Sequence, residues 1–557
     1  MLVHVQLDGS ERVVALTDLE EQIRAGTLGP ETPVRADALT GGRWMPVGEL
    51  ELYKGLLSSP EAAMRRAWAD PRIPWFTVVL VGVQLRIFLW TAWSRVEGPL
   101  VERWARSTPA ILERDEYARL VTYGFFHGGL AHVAMNMIFI ALIGAALERV
   151  VGSLSLAVLF FSSVFWGGVI SGLLSPNAQA IGASAGDFGY LAAATVFGLR
   201  WFELLPPRAR PRFGVAILVY LIYALLNGVL SNERIDNWGH VGGLVAGGLH
   251  MALLRPNVGE VWKARNLRVS FTMVLLAFAG LVGMARLPIP LVPITEDGLS
   301  ASRPVWWTTG WAPTGESGWA SPVGGGVLVA RTTRSDAPVS TAASVSALLA
   351  DYREVDPYAA LLADVPLERD GVAGREVTLG YAHNGATRQV RAAVFTRGRY
   401  VHRVVLDAPV GDVRVTRMAP RLFGEVRLPL PEDIAEARTA GDSWRGRLVQ
   451  AEAEADFGNP DAARRLIEAA RQEAPGEPAP AEALLDLAAT YPREGIAATA
   501  DDLLAAFPDD RGVRVAAANA LAAAGDLPGA LRRLDEGLAR APGDRKLTRA
   551  RRDLLEE

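Results

Sequence analysis

Gly182-Ala183-Ser184-Ala185-Gly186 opens an apolar segment that runs from Ile181 to about Phe202. A serine flanked by glycines usually marks the strand-turn-helix elbow of a soluble hydrolase. Here the following residues have the composition of a membrane helix, and no β-strand is predicted before the glycines. A serine one turn inside a membrane helix either makes a structural hydrogen bond or has a dedicated base. Catalysis is therefore predicted only if a base and oxyanion donors lie on neighbouring helices.

The composition divides the chain into a membrane part and soluble parts. Half of the 557 residues are hydrophobic, and these are concentrated between Trp75 and Pro290. The chain has no cysteine, which excludes disulfides and zinc–thiolate sites, and no cofactor or metal ion is predicted. A net charge of −4 and the lack of a clustered basic face in the sequence argue against a nucleic-acid partner. The polar N-terminus predicts no cleaved signal peptide.

Seven apolar segments are predicted to cross a membrane. They lie at 75–93, 130–148, 154–174, 181–202, 214–231, 237–254 and 270–286. Each is close to the length of about 17–25 residues that spans a hydrocarbon core of roughly 30 Å. We therefore expect an integral membrane protein in contact with membrane lipid.

The basic residues predict which ends of these segments face the cytoplasm. Loops rich in Arg and Lys alternate with loops that have few basic residues or balance them with acidic ones. The loops rich in basic residues therefore all lie on one side of the membrane. The positive-inside rule identifies that side as cytoplasmic. They contain Arg65, Arg66, Arg72, Arg149, Arg200, Arg208, Arg210, Arg212, Arg255, Lys263, Arg265 and Arg268. The N-terminus is then cytoplasmic. Because Arg replaces Lys almost throughout, as in GC-rich bacterial genomes, we expect a bacterial inner membrane.

Residues 1–60 are predicted to form a small soluble domain before the first span. Leu2–Leu7 alternates apolar and polar residues like a short strand. Thr17 can cap a helix over Asp18–Ala25, which a glycine follows. Together with the later turn and Trp44, this order resembles the small GYF-like modules of bacterial membrane proteins. The resemblance implies an interaction module with a protein partner.

Four polar residues lie near the outer ends of three predicted spans. His132 and Asn136 are four residues apart at the start of the second span, so they share one helix face. Ser184 opens the fourth span and His240 opens the sixth. Each of these groups is costly in a membrane, and any one of them could make a structural hydrogen bond. Their common depth favours a shared site.

Glycines at helical spacing accompany the polar groups. They are Gly182, Gly186 and Gly189 on the fourth span, and Gly239, Gly243 and Gly247 on the sixth. Small residues at this spacing let two helix backbones approach closely, as contact at about 3 Å between a serine hydroxyl and an imidazole requires. Plain helix packing would account for the glycines, but not for Ser184 and His240.

Several motifs in residues 75–255 resemble those of rhomboid intramembrane serine proteases, in family order and on the corresponding spans. They are Arg119-Leu-Val-Thr-Tyr-Gly-Phe-Phe-His127, His132-x-x-x-Asn136-Met137, Gly182-Ala-Ser184, Phe188-Gly189 and Asn237-Trp-Gly-His240-x-Gly-Gly243. The resemblance implies a six-span core over residues 70–255 that cleaves membrane segments of other proteins.

The resemblance also implies roles for single residues. Ser184 would be the nucleophile and His240 its general base, without a carboxylate as third member. His132, Asn136 and the backbone N–H of Ser184 would form the oxyanion hole. The aromatic ring on which the histidine packs would be Phe188. Gly182 and Gly243 would support this arrangement.

Two residues depart from the family pattern. Ala185 stands where glycine is usual and could crowd the oxyanion site. Asp187 stands where an aliphatic residue is usual; it could tune His240 or face the outer water. Two further histidines are expected outside the catalytic set: His127 as a structural residue bonded within the 94–123 loop, and His250 as a residue too deep in its span.

The region after the core is predicted to leave the membrane and form soluble domains. Residues 256–290 hold a basic loop and the seventh span. An α+β domain is expected over 297–437. Its four tryptophans are expected to form a core, the alternative being a belt next to the membrane; they are Trp306, Trp307, Trp311 and Trp319. Its predicted strands are Val327–Thr333, Arg375–Ala382 and Arg388–Leu406, the last turning at Gly398, and its predicted helices lie near 340–364 and 411–424.

Residues 440–557 contain a repeat. Ala474-Pro475, Phe507-Pro508 and Ala541-Pro542 recur at intervals of 33 and 34 residues. This spacing resembles tetratricopeptide-type helical hairpins, with three units and a capping helix over Arg545–Glu557. The resemblance implies a surface for protein partners.

The sequence thus predicts an all-α polytopic membrane protein, with a rhomboid-like six-helix core and a seventh span, small α+β soluble domains and a C-terminal helical repeat. The predicted activity is cleavage of single-span membrane proteins by a Ser184–His240 dyad. One alternative is an inactive rhomboid-like binding or adaptor protein. Another is a transporter or channel, which would be expected to have internal span repeats or charges in mid-membrane, and Arg86 in the first span is the only candidate for such a charge. The C-terminal domains are extracytoplasmic if 270–286 spans the membrane, and cytoplasmic if it lies on the surface.

Overall fold

The chain divides into two units in a computed structural model. The structure describes residues 1–58, 72–94, 97–175, 179–230, 235–257, 260–296 and 298–556, together with Ala62, Met64 and Trp68. The first unit is Met1–Leu287 and the second is Pro288–Glu557. The division falls near the end of the region predicted to hold the seventh span. The predicted cytoplasmic residues Arg65 and Arg66, and Glu557 of the capping helix, lie outside the described residues.

The N-terminal domain is a small sheet covered by helices. Its strands are β1 (Leu2–Leu7), β2 (Ser10–Ala15), β3 (Pro33–Arg35) and β4 (Met45–Pro46), in the order β2-β1-β3-β4. Its helices are Leu16–Ala25, Asp37–Thr40, Val47–Glu49 (3₁₀) and Glu51–Ser58. The alternation of β1 buries Val3 and Val5 against Leu19 and Ile23 of the first helix, as the sequence pattern predicts.

The predicted cap of the first helix is wrong, whereas its predicted end is confirmed. The helix begins at Leu16 with Ala15 as its N-cap, and no side chain caps it. The reason is that β2 runs directly into the helix, and the Leu16 N–H donates to the carbonyl of Met1 at 2.9 Å. Thr17 therefore lies inside the helix. Gly26 follows the last turn with φ of 71°, a left-handed conformation that suits glycine.

The apolar segments of the first unit form helices. They are Trp75–Ser94, Leu130–Phe139, Ala145–Val151, Ser153–Leu174, Ser184–Trp201, Val215–Leu230, Asn237–Leu253 and Glu260–Arg286, with a π-helical turn at Ile140–Gly144. We call Ser153–Leu174 the central helix, Ser184–Trp201 the serine helix and Asn237–Leu253 the histidine helix. The serine helix and the histidine helix both pack against the central helix.

Among the described residues, four stretches are long and apolar enough to cross a membrane. They are Trp75–Ala92, Leu130–Val151, Ser153–Leu174 and Trp262–Arg286. The predicted spans at 181–202, 214–231 and 237–254 correspond to shorter helices of 18, 16 and 17 residues. The structure therefore contains a helix at each predicted span, and the count of seven crossings stays a prediction.

The last helix of the first unit is longer than predicted. Glu260–Arg286 has 27 residues and begins ten residues before the predicted start at 270. Its first turns include Lys263, Arg265 and Arg268, which the sequence analysis assigned to a loop. The apolar stretch Trp262–Arg286 has 25 residues, or roughly 37 Å at about 1.5 Å per residue. By length the helix reaches across a hydrocarbon core of about 30 Å, with Lys263, Arg265 and Arg268 in its first turns.

Short elements fill the segment between the first two apolar helices. The helices are Glu97–Trp104, Thr108–Arg114, Arg119–Thr122 and Tyr123–Phe125 (3₁₀). Between them, β5 (Arg106–Ser107) pairs antiparallel with β6 (Gln179–Ala180). A strand therefore does precede the glycines around Ser184, contrary to the sequence expectation. Two residues are too few to show an alternating pattern.

The second unit begins with a sheet domain. A hairpin of β7 (Leu291–Glu296) and β8 (Leu299–Pro304) precedes a seven-stranded antiparallel sheet of order β12-β13-β14-β15-β11-β10-β9. Its strands are β9 (Thr308–Trp311), β10 (Ser317–Ala320), β11 (Val327–Arg334), β12 (Ala360–Arg369), β13 (Val372–His383), β14 (Ala386–Arg397) and β15 (Tyr400–Pro409). The predicted turn at Gly398 joins β14 to β15 and is confirmed by a φ of 62°.

Two predictions for this domain need correction. The helix expected over 340–364 ends at Val355, because residues 360–369 form the edge strand β12. The side chains of this strand are mostly exposed, so no apolar alternation distinguishes it from a helix in the sequence. Of the four tryptophans predicted in the core, Trp306 and Trp307 are buried, whereas Trp311 is 70% exposed. Three short helices follow, at Val413–Arg417, Ala419–Gly424 and Glu432–Ala437.

The C-terminal region is a series of antiparallel helices. They are Trp444–Asp456, Pro460–Glu473, Ala479–Thr490, Ile496–Ala506, Arg511–Ala523, Leu527–Arg540 and Arg545–Glu556. Trp444–Asp456 packs on Pro460–Glu473, and Arg511–Ala523 packs on Leu527–Arg540. Ala479–Thr490 packs more closely on Arg511–Ala523 than on Ile496–Ala506, so the predicted count of three hairpin units stays a prediction. The assignment to the tetratricopeptide type stays a prediction.

Candidate active site

Ser184 is the first residue of the serine helix. The N-cap is Ala183, and no side chain caps the helix. The expectation of a serine one turn inside a helix is therefore wrong. At this position the first backbone N–H groups of the helix have no intrahelical acceptor, and the helix dipole favours negative charge beside them. Ser184 is partly exposed, while Ala183 and Ala185 are buried.

His240 lies within hydrogen-bond distance of Ser184. Its Nε2 is 2.9 Å from Ser184 Oγ. The two helices can approach this closely because glycines of the histidine helix face the backbone of the serine helix. A Cβ at Gly243 would overlap the carbonyl of Ala185, and one at Gly247 would overlap the backbone of Gly189. The predicted close packing of these glycines is therefore present.

The ring of His240 is oriented by packing. Phe188, one turn after Ser184, stacks on it with ring centroids 4.2 Å apart and an interplanar angle of 11°. The other ring nitrogen, Nδ1, is buried and has no hydrogen-bond partner among the described residues. The structure thus brings the rings of His240 and Phe188 together beside Ser184, and no carboxylate among the described residues bonds to the histidine.

His132 and Asn136 lie on the second apolar helix, beside the segment that precedes Ser184. A Cβ at Gly182 would lie 2.5 Å from Nε2 of His132, and Gly182 has φ of +118°, so glycine is required there on both grounds. Asn136 is buried and donates from Nδ2 to the carbonyl of His132 at 2.7 Å. An amide NH₂ has two hydrogens, so the second one is available to a further acceptor.

His127 also lies at this site, which the sequence analysis did not predict. Its ring packs edge-on against His132, with centroids 5.1 Å apart. The Ala183 N–H donates to its Nε2 at 3.5 Å, so it contacts the residue before the serine and not the 94–123 loop. Burial, aided by the neighbouring His132, lowers the pKa of His127 to about 3. The ring is therefore neutral and can accept this bond.

Both residues that depart from the family pattern are buried in the first unit. Ala185 points at the central helix, where a Cβ at Gly167 would lie 2.7 Å from its own Cβ. Asp187 is 4% exposed, and its Oδ1 has no hydrogen-bond partner among the described residues. Neither of the roles expected for Asp187, tuning of His240 or exposure to water, matches this position.

His250 lies farther along the histidine helix, away from the serine. It is fully buried, and neither ring nitrogen has a hydrogen-bond partner among the described residues. This agrees with the expectation that it lies too deep to act.

The fold and the site together define a class of protein: an integral membrane protein with a serine–histidine pair at a helix N-terminus, inside a bundle of apolar helices. An activated serine beside a base is the arrangement that serine hydrolases use.

Residues 114–257 match the family model of the rhomboid domain. Rhomboid-like protease 3 of Toxoplasma gondii is 29% identical over 206 residues, which are 35% of this chain and 76% of that protein. Rhomboid protease GluP of Bacillus subtilis is 30% identical over 210 residues, 37% of this chain and 39% of that protein. RHOMBOID-like protein 4 of Arabidopsis thaliana is 29% identical over 155 residues, 27% of this chain and 38% of that protein.

These similarities support the rhomboid family for the membrane part of the chain, and the matched range contains all the candidate site residues. The chain spans 39% and 38% of the length of the Bacillus and Arabidopsis relatives.

Proposed function

We propose that the protein is an intramembrane serine endopeptidase with Ser184 as nucleophile and His240 as general base. The observation that carries this proposal is the 2.9 Å contact between His240 Nε2 and Ser184 Oγ. A serine and an imidazole at hydrogen-bond distance, in a bundle of apolar helices, are unexpected unless the pair is used. The rhomboid domain match and the relatives named as proteases add support.

In the acylation step, Ser184 Oγ attacks the carbonyl carbon of a substrate peptide bond, while His240 Nε2 takes the hydroxyl proton. The tetrahedral intermediate then collapses, the C–N bond breaks, and the same proton passes to the leaving amine. In deacylation a water molecule attacks the ester carbonyl while His240 Nε2 takes its proton. The bond from the carbonyl carbon to Ser184 Oγ then breaks, and the proton passes from His240 to Oγ. Phe188 keeps the ring in place, since Nδ1 has no partner among the described residues to do so.

The developing oxyanion needs donors, each typically worth about 10²–10³ in rate. The Ser184 N–H at the helix N-terminus is one. His132 Nε2, which lies beside Gly182, and the second hydrogen of Asn136 Nδ2 are the other two. His127 stabilises the segment next to these donors, because its Nε2 accepts the Ala183 N–H.

The substrates we propose are single-span membrane proteins cut within or near their apolar segment. A helix hides its carbonyls in internal hydrogen bonds, so a cleavable segment must unwind first. Small residues at the cut site and helix-weakening Gly or Pro nearby are therefore favoured.

The orientation we propose follows the charge distribution. The N-terminus is cytoplasmic, the site opens near the outer face, and the helix over Glu260–Arg286 makes a seventh crossing that places the second unit outside. A bacterial inner membrane suits the composition. The GYF-like N-terminal module and the tetratricopeptide-type repeats would each bind a protein partner.

Labelling by a fluorophosphonate in detergent tests the proposed activity. The wild type should form a covalent adduct on Ser184, since a phosphonate reacts with an activated serine. Ser184→Ala should not label, and His240→Ala should label far more slowly. An unlabelled wild type that still bound membrane segments would instead favour the inactive adaptor.

A further inference from the structure

Asp236 caps the helix that carries His240. Its side chain accepts the Gly239 N–H at 3.1 Å. It also receives the hydroxyl of Ser171, which lies 2.6 and 2.7 Å from its two carboxylate oxygens. Ser171 is fully buried on the central helix. One carboxylate therefore ties the N-terminus of the histidine helix to the helix beside it.

A buried arginine lies on the same carboxylate. Arg106 is 0% exposed, and its Nη2 is 3.9 Å from Asp236 Oδ2. Its Nη1 donates to Thr108 Oγ1 at 2.9 Å, whereas Nε and Nη2 have no hydrogen-bond partner among the described residues. Burial lowers the pKa of Arg106, and the charge of Asp236 opposes this shift. A guanidinium without bulk water depends on such a countercharge.

The backbone of Arg106 pairs with the segment that precedes Ser184. In the β5–β6 pair, Arg106 lies opposite Ala180, four residues before Ser184. Two residues on, the Gly182 N–H donates to the carbonyl of Tyr123 at 3.0 Å. The loop that leads to Ser184 is thus held by the strand that contains Arg106. The side chain of the same arginine faces the carboxylate four residues before His240.

We propose that Arg106 and Asp236 are positioning residues that set the separation of Ser184 Oγ and His240 Nε2, an inference that rests on the proposed protease function. One residue pair connects the segment before the nucleophile with the cap before the base. Loss of the pair lets the histidine helix and the serine loop shift independently. A misplacement of about 1 Å can slow a reaction by about 10²-fold without weakening substrate binding.

A comparison within the chain separates positioning from simple capping. Asp526 also caps a helix, with its carboxylate 2.9 Å from the Gly529 N–H, in the same Asp-x-x-Gly arrangement. Unlike Asp236 it is exposed and lies in the second unit. Asp526→Asn is therefore a matched control for the loss of charge at a cap.

The test measures kcat and KM for cleavage of a single-span model substrate by the full chain in detergent. Asn at position 236 keeps an acceptor for the Gly239 N–H and for Ser171 but loses the charge. Asp236→Asn and Arg106→Gln should each lower kcat by about 10- to 100-fold with KM changed less than about twofold. The Asp526→Asn control should change neither constant.

The double variant Arg106→Gln/Asp236→Asn distinguishes positioning from stability. It contains no unpaired buried charge, so its melting temperature should return toward that of the wild type while kcat stays low. Recovery of kcat together with the melting temperature would overturn the inference, as would a kcat within twofold of wild type in both single variants. Comparison of the wild type with Ser184→Ala tests the protease proposal separately. A wild type that cleaves no faster than Ser184→Ala would refute that proposal.

Discussion

Asp187 lies one turn after Ser184 and carries a carboxyl group into the packed interior of the first unit. It is 4% exposed, and Oδ1 has no hydrogen-bond partner among the described residues. A buried polar atom left without a partner costs about 1–3 kcal/mol. We therefore expect Asp187 to destabilise the folded protein without contributing to the contact between Ser184 and His240.

We predict that Asp187→Val raises the stability of the protein by about 1–3 kcal/mol, since the unsatisfied carboxyl is removed and apolar contacts replace it. Thermal unfolding in detergent would measure the change. The rate of fluorophosphonate labelling should stay within about threefold of wild type. A collapse of labelling at unchanged stability would mean that Asp187 acts in the site.

At this scale the sequence could single out Ser184, His132, Asn136 and His240, because polar groups in apolar spans are conspicuous. It could not assign His127, which lies between spans and whose partner is a backbone N–H. Nor could it assign Asp236, whose neighbours come from distant parts of the chain. Such contacts depend on how the helices pack.

At the scale of elements, the approach of the serine helix and the histidine helix depends on glycine. We predict that Gly243→Ala separates the two helices, because its Cβ would overlap the carbonyl of Ala185. Overpacking of this kind costs about 1–3 kcal/mol, and labelling of Ser184 should fall at least about tenfold.

Gly283→Ala is the matched control for this substitution. Gly283 also lies in an apolar helix of the first unit, and a Cβ there would meet no atom within 4 Å. Its labelling rate should equal that of the wild type. Equal labelling by Gly243→Ala and Gly283→Ala would show that the close helix contact is not needed for the pair.

The long apolar helices could be predicted from the length of their apolar runs, and the hairpin at Gly398 could be predicted from strand-like runs on both sides of a clear turn residue. The two-residue strands β5 and β6 could not, because so short an element has no pattern and its partner lies far along the chain. The first helix of the N-terminal domain starts at Leu16 since β2 runs into it, a tertiary effect that the capping preference of Thr17 does not reveal.

At the scale of the whole molecule, the side of the second unit depends on the helix Glu260–Arg286. We predict that a reporter active only in the cytoplasm is active when fused after Asn257 and silent when fused after Glu556, because the helix crosses the membrane between them. Activity at both sites would mean that this helix does not cross, and the second unit would be cytoplasmic.

Cleavage of a single-span model protein in liposomes tests whether Ser184 is the nucleophile of a membrane-embedded peptidase. We predict that the purified wild type cuts within or near the apolar segment and that Ser184→Ala releases no fragment, since the proposed mechanism has no other nucleophile. Ser162→Ala is the control, because Ser162 is also a buried serine in an apolar helix but bonds only the Leu159 carbonyl among the described residues; it should cleave like the wild type. Cleavage by purified Ser184→Ala at the wild-type rate would contradict the account.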